Sequence, residues 1–202
     1  MCCRYFIDEH PVLDSLLEQV NRSPLAEQFT ARTGRAVKQS GEVFPMDVAP
    51  VVATGRSGRR AAFPMRWGFS GRTPLFNARV ETAAVKPLFR EAFASHRCAV
   101  PALWYFEWER LLLPGGKKKT GDKYLLHPVG EQLTWLAGIY RMEDGLPVYT
   151  VLTREPSESI RFIHDRMPLI LPESRIDEWI TPGTRPESVL PSALTELEYA
   201  RA

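Results

Sequence analysis

The sequence predicts a single α+β domain in which a mainly antiparallel β-sheet curls toward a barrel and carries helices on its flanks. Strand-like segments outnumber helical ones, and most of them follow one another through short turns, which is typical of antiparallel sheets. At 202 residues the chain has the length of one domain with a sizeable core. We place this domain at residues 1–180 and expect residues 181–202, which contain Pro182, Pro186 and Pro191, to form a peripheral C-terminal tail.

The N-terminal part alternates between strand and helix signals. Residues 4–7 predict a short strand, and Pro11 opens a helix whose apolar positions recur with a period near 3.6, namely Val12, Leu13, Leu16, Leu17 and Val20. A second helix begins at Pro24 and continues through Phe29. Residues 33–47 read as a loop. A hairpin follows, with strands at residues 49–54 and 61–69 around a glycine-rich turn.

The second half is richer in strands. Residues 70–83 look irregular and polar, and a short helix is expected at 87–93. The very aromatic segment 97–109 predicts one strand, and residues 114–121 predict a basic hairpin tip. The remaining expectations are strands at 123–127, 133–140, 146–153 and 169–171, helices at 156–163 and 173–180, and a loop at 164–168.

Composition limits the function classes. Hydrophobic residues make up 44% of the chain and charged residues 25%, as in an ordinary globular protein. The net charge is only +2, so affinity for nucleic acid would have to come from local clusters of Arg and Lys. No apolar run approaches the roughly 20 residues of a membrane span. Three cysteines without a disulfide-scaffold or CxxC spacing predict a cytoplasmic protein with no zinc site. We expect no metal and no cofactor.

The first four residues, Met1-Cys2-Cys3-Arg4, carry a distinctive chemical possibility. If Met1 is removed, Cys2 presents a free amine and a thiol on adjacent carbons, with reference pKa values of about 7.7–8.0 and 8.5. Such a 1,2-aminothiol adds to an aldehyde as an imine and closes to a thiazolidine. An internal cysteine cannot do this, although many early cysteines are inert.

Asn77-Ala78-Arg79 is a candidate polar site within an irregular segment. Asn offers a donor and an acceptor, and Arg offers a planar fork suited to phosphate oxygens. Taken alone, the same residues are more simply a capping Asn and a solvated Arg.

Glu107 stands among aromatic residues, where desolvation would raise its pKa and make it an acid or base near neutral pH. Strand alternation places Trp104, Phe106 and Trp108 on one face and Tyr105, Glu107 and Glu109 on the other. Because alternation does not say which face is buried, a solvent-exposed Glu107 stays possible.

His164-Asp165-Arg166-Met167-Pro168 lies between a predicted helix and a predicted strand. His followed by Asp and Arg can be a proton shuttle next to an anion-binding group, and it can also be a structural hydrogen-bonding residue.

Taken in order, these segments resemble one family. The motifs are Met1-Cys2-Cys3-Arg4, Arg66-Trp67-Gly68-Phe69, Asn77-Ala78-Arg79-Val80-Glu81-Thr82, Arg97-Cys98-Ala99-Val100-Pro101, Phe106-Glu107-Trp108, Ala137-Gly138-Ile139-Tyr140 and His164-Asp165-Arg166-Met167-Pro168. Together they resemble the SOS response-associated peptidase (SRAP) family over residues 1–171. The sequence departs from the family pattern in three places: Cys3 replaces the usual Gly, Trp104 stands where Gly is common, and the stretch after Trp67-Gly68-Phe69 is shorter than the family's usual Trp-containing segment.

The resemblance implies a sensor of abasic sites in single-stranded DNA that works as a monomer. Cys2, once exposed by self-removal of Met1, would capture the ring-opened sugar aldehyde as a thiazolidine DNA–protein cross-link that protects the lesion, with possible reversal or lyase-like activity. The protein would be cytoplasmic and would join the nucleoid when bound to DNA.

The resemblance also implies residue roles. The catalytic set would comprise Cys2, Asn77, Glu107 and His164. The DNA-binding set would hold the backbone or stack on bases, and it would comprise Arg4, Trp67, Arg79, Trp108 and Arg166.

Other readings of the same residues remain open. In an N-terminal-nucleophile hydrolase, Cys2 would cleave an amide with its own amine as the base. In a non-covalent single-stranded DNA-binding module, Cys2 would be inert. In a structural or partner-binding protein, the polar set would be coincidental.

Overall fold

The computed structural model describes residues 3–202, with only the backbone described at Lys118. Within that range the strands are β1 (Arg4–Ile7), β2 (Gly41–Val43), β3 (Val48–Thr54), β4 (Arg60–Trp67), β5 (Asn77–Arg79), β6 (Arg97–Ala102), β7 (Trp104–Leu112), β8 (Lys118–Pro128), β9 (Thr134–Glu143), β10 (Leu146–Arg154), β11 (Met167–Pro168), β12 (Ile170–Leu171) and β13 (Leu197–Arg201). The α-helices are α1 (Pro11–Asn21), α2 (Pro24–Thr33), α3 (Val80–Ala83), α4 (Arg90–Ser95), α5 (Ile176–Ile180) and α6 (Pro186–Val189).

Five strands close into a barrel, in the order β10, β4, β3, β6 and β9, with β9 pairing back to β10. The pairings are antiparallel except for β4 with β10, which run parallel. Val, Ile, Leu and Ala fill the interior, which suits strands buried along most of their length. The predicted α+β class and the curled, mainly antiparallel sheet are confirmed.

A second sheet is antiparallel throughout, in the order β13, β8, β7, β1 and β2. Its inner face packs on the barrel. The hydroxyl groups of Tyr5 and Tyr149 are 2.7 Å apart, and the Tyr5 ring centroid lies 5.2 Å from that of Trp67. These contacts fix β1, and therefore the start of the described chain, against the barrel.

The two long helices begin where the sequence predicts, and α2 continues beyond Phe29 to Thr33. Pro11 and Pro24 occupy first-turn positions, preceded by N-caps His10 and Ser23, whose side chains accept backbone N–H bonds. Gly34 ends α2 in the left-handed conformation, with φ 69°. None of the helices in residues 3–202 combines the length and apolar character that crossing a bilayer requires.

The structure corrects several expected elements. The segments expected as loops contain β2, β5 and α3, and the segment expected as one strand at 97–109 divides at Leu103 into β6 and β7, which belong to different sheets. The helix expected at 156–163 is a single 3₁₀ turn at Glu158–Ile160. The segment expected as a peripheral tail contributes β13, which pairs with β8 over five residues.

Candidate functional site

Glu107 lies on the inner face of the second sheet. It is 4% exposed, its neighbour on the same face, Tyr105, is 1% exposed, and Trp104 and Trp108 point to the opposite face. The reading in which Glu107 faces solvent is therefore wrong. Alternation had separated the two faces correctly, and the packing of the sheet on the barrel decides which one is buried.

His164 is buried beside Glu107. Its Nε2 atom lies 3.7 Å from Oε1 of Glu107, and the ring is 4% exposed. The Nδ1 atom accepts a 2.9 Å hydrogen bond from the backbone N–H of Arg166, so the neutral ring carries its proton on Nε2, toward Glu107. The backbone N–H of Arg110 donates to the carbonyl oxygen of Ile163 at 3.0 Å and holds this loop against β7.

Asp165 also approaches the histidine, but from the solvent side. Its Oδ1 atom lies 2.8 Å from Nδ1 of His164 and 2.8 Å from the Arg110 guanidinium. Asp165 is exposed, and Arg110 offsets its charge, so we assign Nδ1 as the acceptor of the fixed backbone donor rather than as a protonated partner of Asp165.

Burial shifts both titrating groups. It raises the pKa of Glu107 above its usual value and lowers the pKa of His164 to about 4. At neutral pH the imidazole is therefore uncharged, while the carboxyl group is more easily protonated than an exposed glutamate. A buried pair of this kind can exchange protons with a bound substrate.

Cys3 lies next to Glu107. The register pairs Arg4 with Phe106, and continuing it by one residue aligns Cys3 with Glu107. Burial, and then the Glu107 charge, raise the pKa of the Cys3 thiol, so this sulfur stays protonated and weakly nucleophilic. The predicted nucleophile Cys2, and Met1 before it, lie outside the described residues.

Asn77 and Arg79 are carried by β5, which runs parallel to β10 with Asn77 opposite Val151. The strand is fixed at its start because the carbonyl oxygen of Phe76 accepts bonds from Trp67 Nε1 at 2.8 Å and from the Val151 N–H at 3.1 Å. Asn77 is half-buried and Arg79 is exposed, which suits a polar site residue and a phosphate ligand respectively.

Arg166 is occupied within the protein. Its guanidinium donates to both carboxylate oxygens of Glu81, each at 2.8 Å, and to the carbonyl oxygen of Thr153 at 2.7 Å. Only 11% of the side chain is exposed. The expectation that Arg166 presents its charge to DNA is therefore not met in this structure, because Glu81 occupies the fork.

Trp67 corrects another expectation. Its side chain is fully buried, its Nε1 is bonded to Phe76, and its ring stacks on Tyr149 with centroids 6.1 Å apart and planes 7° apart. A ring in this position cannot stack on a DNA base, so the predicted stacking role of Trp67 is wrong.

Arg4 and Trp108 meet on the outer face of the second sheet. The Arg4 guanidinium lies 4.5 Å from the Phe44 ring centroid and 4.9 Å from that of Trp108. Glu42 accepts bonds from Arg4 at 3.1 Å and from Lys123 at 2.5 Å. We call Arg4, Glu42, Phe44, Trp108 and Lys123 the Arg4 patch.

Two tyrosine contacts near this site were not predicted from the sequence. Tyr124 is buried opposite Glu107 in the β7–β8 register, and the Tyr5–Tyr149 hydroxyl pair lies beneath β1. Alternation within β1 and β8 could have placed Tyr5 and Tyr124 on an inner face, but their partners come from distant strands. In the described part of the chain, no three His, Cys, Asp or Glu side chains gather as metal ligands.

Comparison with known proteins decides the family. The model of the family described as SOS response associated peptidase (SRAP) matches residues 1–201. The chain belongs to the SRAP family. Its resemblance on seven short motifs is thereby confirmed, and the match extends to the C-terminal strand β13.

Individual relatives agree. The chain is 36% identical over 214 residues to the abasic site processing protein YoqW of Bacillus subtilis, covering 96% of this chain and 86% of YoqW. It is 37% identical over 125 residues to the abasic site processing protein YoaM of the same organism, covering 59% of this chain and about half, 53%, of YoaM. A solved protein from Bacteroides thetaiotaomicron shares the fold, with a TM-score of 0.71, 20% identity and coverage of 99% and 91% of the two chains.

Proposed function

We propose that this protein recognises abasic sites in single-stranded DNA and captures them covalently through Cys2 after Met1 has been removed. The observation that carries the proposal is the buried Glu107–His164 pair beside Cys3, the residue that follows Cys2 in the chain. Consecutive Cα atoms are about 3.8 Å apart, and we propose that the amine and thiol of Cys2 act at this pair. Relatives named abasic site processing proteins support the choice of substrate.

The chemistry begins at the Cys2 amine. The amine adds to the aldehyde carbon of the ring-opened sugar and forms a carbinolamine, which loses water to give an imine. The thiol then adds across the carbon–nitrogen double bond: sulfur bonds to carbon, the thiol proton passes to nitrogen, and a thiazolidine results with one water released overall.

Glu107 and His164 serve the proton transfers in this scheme. A protonated Glu107, favoured by its raised pKa, donates to the departing hydroxyl group, and its carboxylate then accepts a proton as the ring closes. His164 holds its Nε2 proton toward the same place. Asn77 would orient the amine or the opened sugar through its amide.

DNA contacts follow from exposure and charge. Arg79 and the Arg4 patch are the described candidates for the backbone and for stacking by Trp108. Arg166 enters the proposal in a different role, because its backbone N–H sets the tautomer of His164 while its side chain holds Glu81. Self-removal of Met1 is the peptidase step that we propose.

The test uses Met-free protein and a single-stranded oligonucleotide with one abasic site. Wild type should give a heat-stable species on a denaturing gel, and its intact mass should equal protein plus DNA minus one water. Cys2→Ala should give none. Cys3→Ser should react like wild type, because the Cys3 thiol is protonated and weakly nucleophilic and therefore takes no part in the reaction. A wild type that yields no such species, or a Cys2→Ala variant that still yields it, contradicts the proposal.

A further inference from the structure

Three aromatic rings from distant parts of the chain meet at the edge of the second sheet. Tyr124, Phe162 and Tyr199 have ring centroids 5.9, 5.9 and 5.4 Å apart, with interplanar angles of 65° to 90°. Tyr124 is buried, whereas Phe162 is 47% exposed and Tyr199 is 45% exposed. The two outer rings therefore present apolar surface to solvent on a fixed base, and we call this trio the edge platform.

The edge platform and the Glu107 site share one cross-strand row of the second sheet. Strand register places Arg201 opposite Tyr124, Tyr124 opposite Glu107 and, one residue beyond the paired positions of β1, Cys3 next to Glu107. These four residues form one row across four strands. Neighbouring strands are about 4.8 Å apart, so Arg201 lies about 14 Å from Cys3. This distance is longer than one sugar, so a sugar bound at Cys3 would not itself reach Arg201.

The loop that carries His164 also carries Phe162. Ile163 lies between them, and its carbonyl oxygen is bonded to the Arg110 N–H. A single short segment thus places His164 beside Glu107 and Phe162 against Tyr124 and Tyr199. A strand of DNA with its lesion at the Glu107 site would reach the edge platform with its flanking bases.

The charges around the platform suit a phosphate backbone. Arg201 is 75% exposed and lies 3.2 Å from Asp122, and Arg161 is 52% exposed and lies 2.8 Å from Glu158. Exposed ion pairs of this kind contribute little, so a phosphate can take the place of either carboxylate. Aromatic rings beside such cations are the usual elements of sequence-independent single-strand binding.

We propose that Phe162 and Tyr199 form a stacking subsite for bases flanking the abasic nucleotide, with Arg201 at the adjoining phosphate. This inference rests on the proposed function and adds to it the path of the DNA strand. The path runs from Cys3 across β7 and β8 to the edge strand β13, which the C-terminal segment supplies.

Equilibrium binding of fluorescent single-stranded DNA tests the subsite apart from the covalent step. Intact DNA and DNA bearing a stable, non-reactive abasic analogue would be titrated with wild type, Phe162→Ala, Tyr199→Ala and the double variant. Base stacking on one aromatic residue corresponds to about fivefold or more in affinity, so each single variant should bind at least about fivefold more weakly. Phe162→Tyr and Tyr199→Phe keep the rings and should bind like wild type.

Met142→Ala is the matched control, because Met142 is a similarly exposed apolar side chain on the barrel strand β9. It should bind like wild type. Replacing the bases that flank the lesion with the same abasic analogue, at unchanged DNA length, should erase the difference between Phe162→Ala and wild type.

The outcomes separate the two proposals. Ring variants that bind long DNA within twofold of wild type, at unchanged melting temperature, overturn the subsite even when wild type forms the cross-link. Absence of the cross-link, with ring-dependent DNA binding intact, overturns covalent capture and supports the subsite.

Discussion

Nε2 of His164 faces Oε1 of Glu107 at 3.7 Å, with both side chains almost completely buried. This distance exceeds that of a hydrogen bond, so the two groups are not fully engaged with each other. The His164 ring is nevertheless held in place by the Arg166 N–H on its other nitrogen. The arrangement keeps one group that donates a proton and one that can release or accept it beside the start of the chain, where the proposed chemistry needs both.

Glu107→Gln should slow cross-linking and at the same time stabilise the fold at neutral and higher pH. Loss of general acid–base catalysis typically costs 10²–10⁴ in rate, so we expect about a hundredfold slower capture. Burial raises the pKa of Glu107, so the folded state loses stability as pH rises through that pKa, and the uncharged amide does not share this loss. Quenched time courses at pH 7 and melting temperatures from pH 4.5 to 8 would measure both effects.

Glu107→Asp is the companion variant because it keeps the carboxyl group and shortens the side chain by one methylene. It should retain part of the rate and none of the added stability. A Glu107→Gln protein that captures abasic DNA at the wild-type rate would remove Glu107 from the mechanism.

His164 should make the fold sensitive to acid between pH 6.5 and 4. Burial lowers the pKa of His164 to about 4. Between pH 6.5 and 4, His164 is therefore protonated in the unfolded chain but neutral in the folded protein. Stability is therefore fully present above pH 6.5 and falls as pH drops, by about 3 kcal/mol once pH reaches 4. Chemical denaturation of wild type and His164→Gln across this range would show it, since only wild type should carry this component. Parallel pH curves for the two proteins would contradict the assignment of a neutral, buried His164.

Much of the fold was predictable because its signals are local. The proline-started helices α1 and α2 and the β3–β4 hairpin are marked by periodicity, caps and turn residues within a few positions. Strand β13 carries no such signal, since its sequence Leu-Glu-Tyr-Ala-Arg becomes a strand only by pairing with β8. The division at Leu103 is likewise non-local, because its N–H bonds to the carbonyl oxygen of Phe6 in β1.

The sequence names the candidate site residues by type, but it does not predict their orientation. The resemblance to the family pointed to Glu107, His164 and Asn77. Residues of the same type nevertheless differ in burial, which the sequence does not predict. The sequence predicts a stacking surface at both Trp67 and Trp108. Trp67, at the end of β4, is buried against Tyr149 of β10, whereas Trp108 lies on the outer face of the second sheet. The sequence predicts a phosphate ligand at both Arg166 and Arg79. In the structure the Arg166 guanidinium is bonded to the Glu81 carboxylate, whereas the Arg79 side chain is exposed.

Glu42→Gln should strengthen binding to single-stranded DNA. Glu42 is partly buried, which raises its pKa, but bonds from Lys123 and Arg4 hold that pKa below its usual value, so it is ionised at pH 7. If the Arg4 patch contacts DNA as proposed, the Glu42 charge competes with DNA phosphates for both cations. Without it, affinity should rise a few-fold, and the slope of log affinity against log salt should steepen by about 0.7 for each phosphate newly neutralised.

Titrations of DNA at several salt concentrations would measure the Glu42 effect. Glu18→Gln is its control, since it removes the same charge from α1, where Glu18 forms an exposed pair with the C-cap residue Arg22. Equal gains in the two variants would mean that only net charge matters and that the Arg4 patch does not contact DNA.

Arg97→Lys should destabilise the protein although it conserves the charge. All five N–H donors of the buried Arg97 guanidinium are bonded to backbone carbonyl oxygens at 2.6–3.0 Å, those of Phe93, Ala94, Trp179, Thr181 and Thr184. Lysine has three donors and cannot reach five acceptors set around a plane, so at least two buried carbonyl groups would lose a charged partner. At about 1.5–3 kcal/mol for each such bond, we expect a loss of about 3 kcal/mol or more and a melting temperature lower by about 6–12 °C. Thermal unfolding followed by circular dichroism would measure this shift, and an Arg97→Lys protein that melts within about 2 °C of wild type would contradict the prediction.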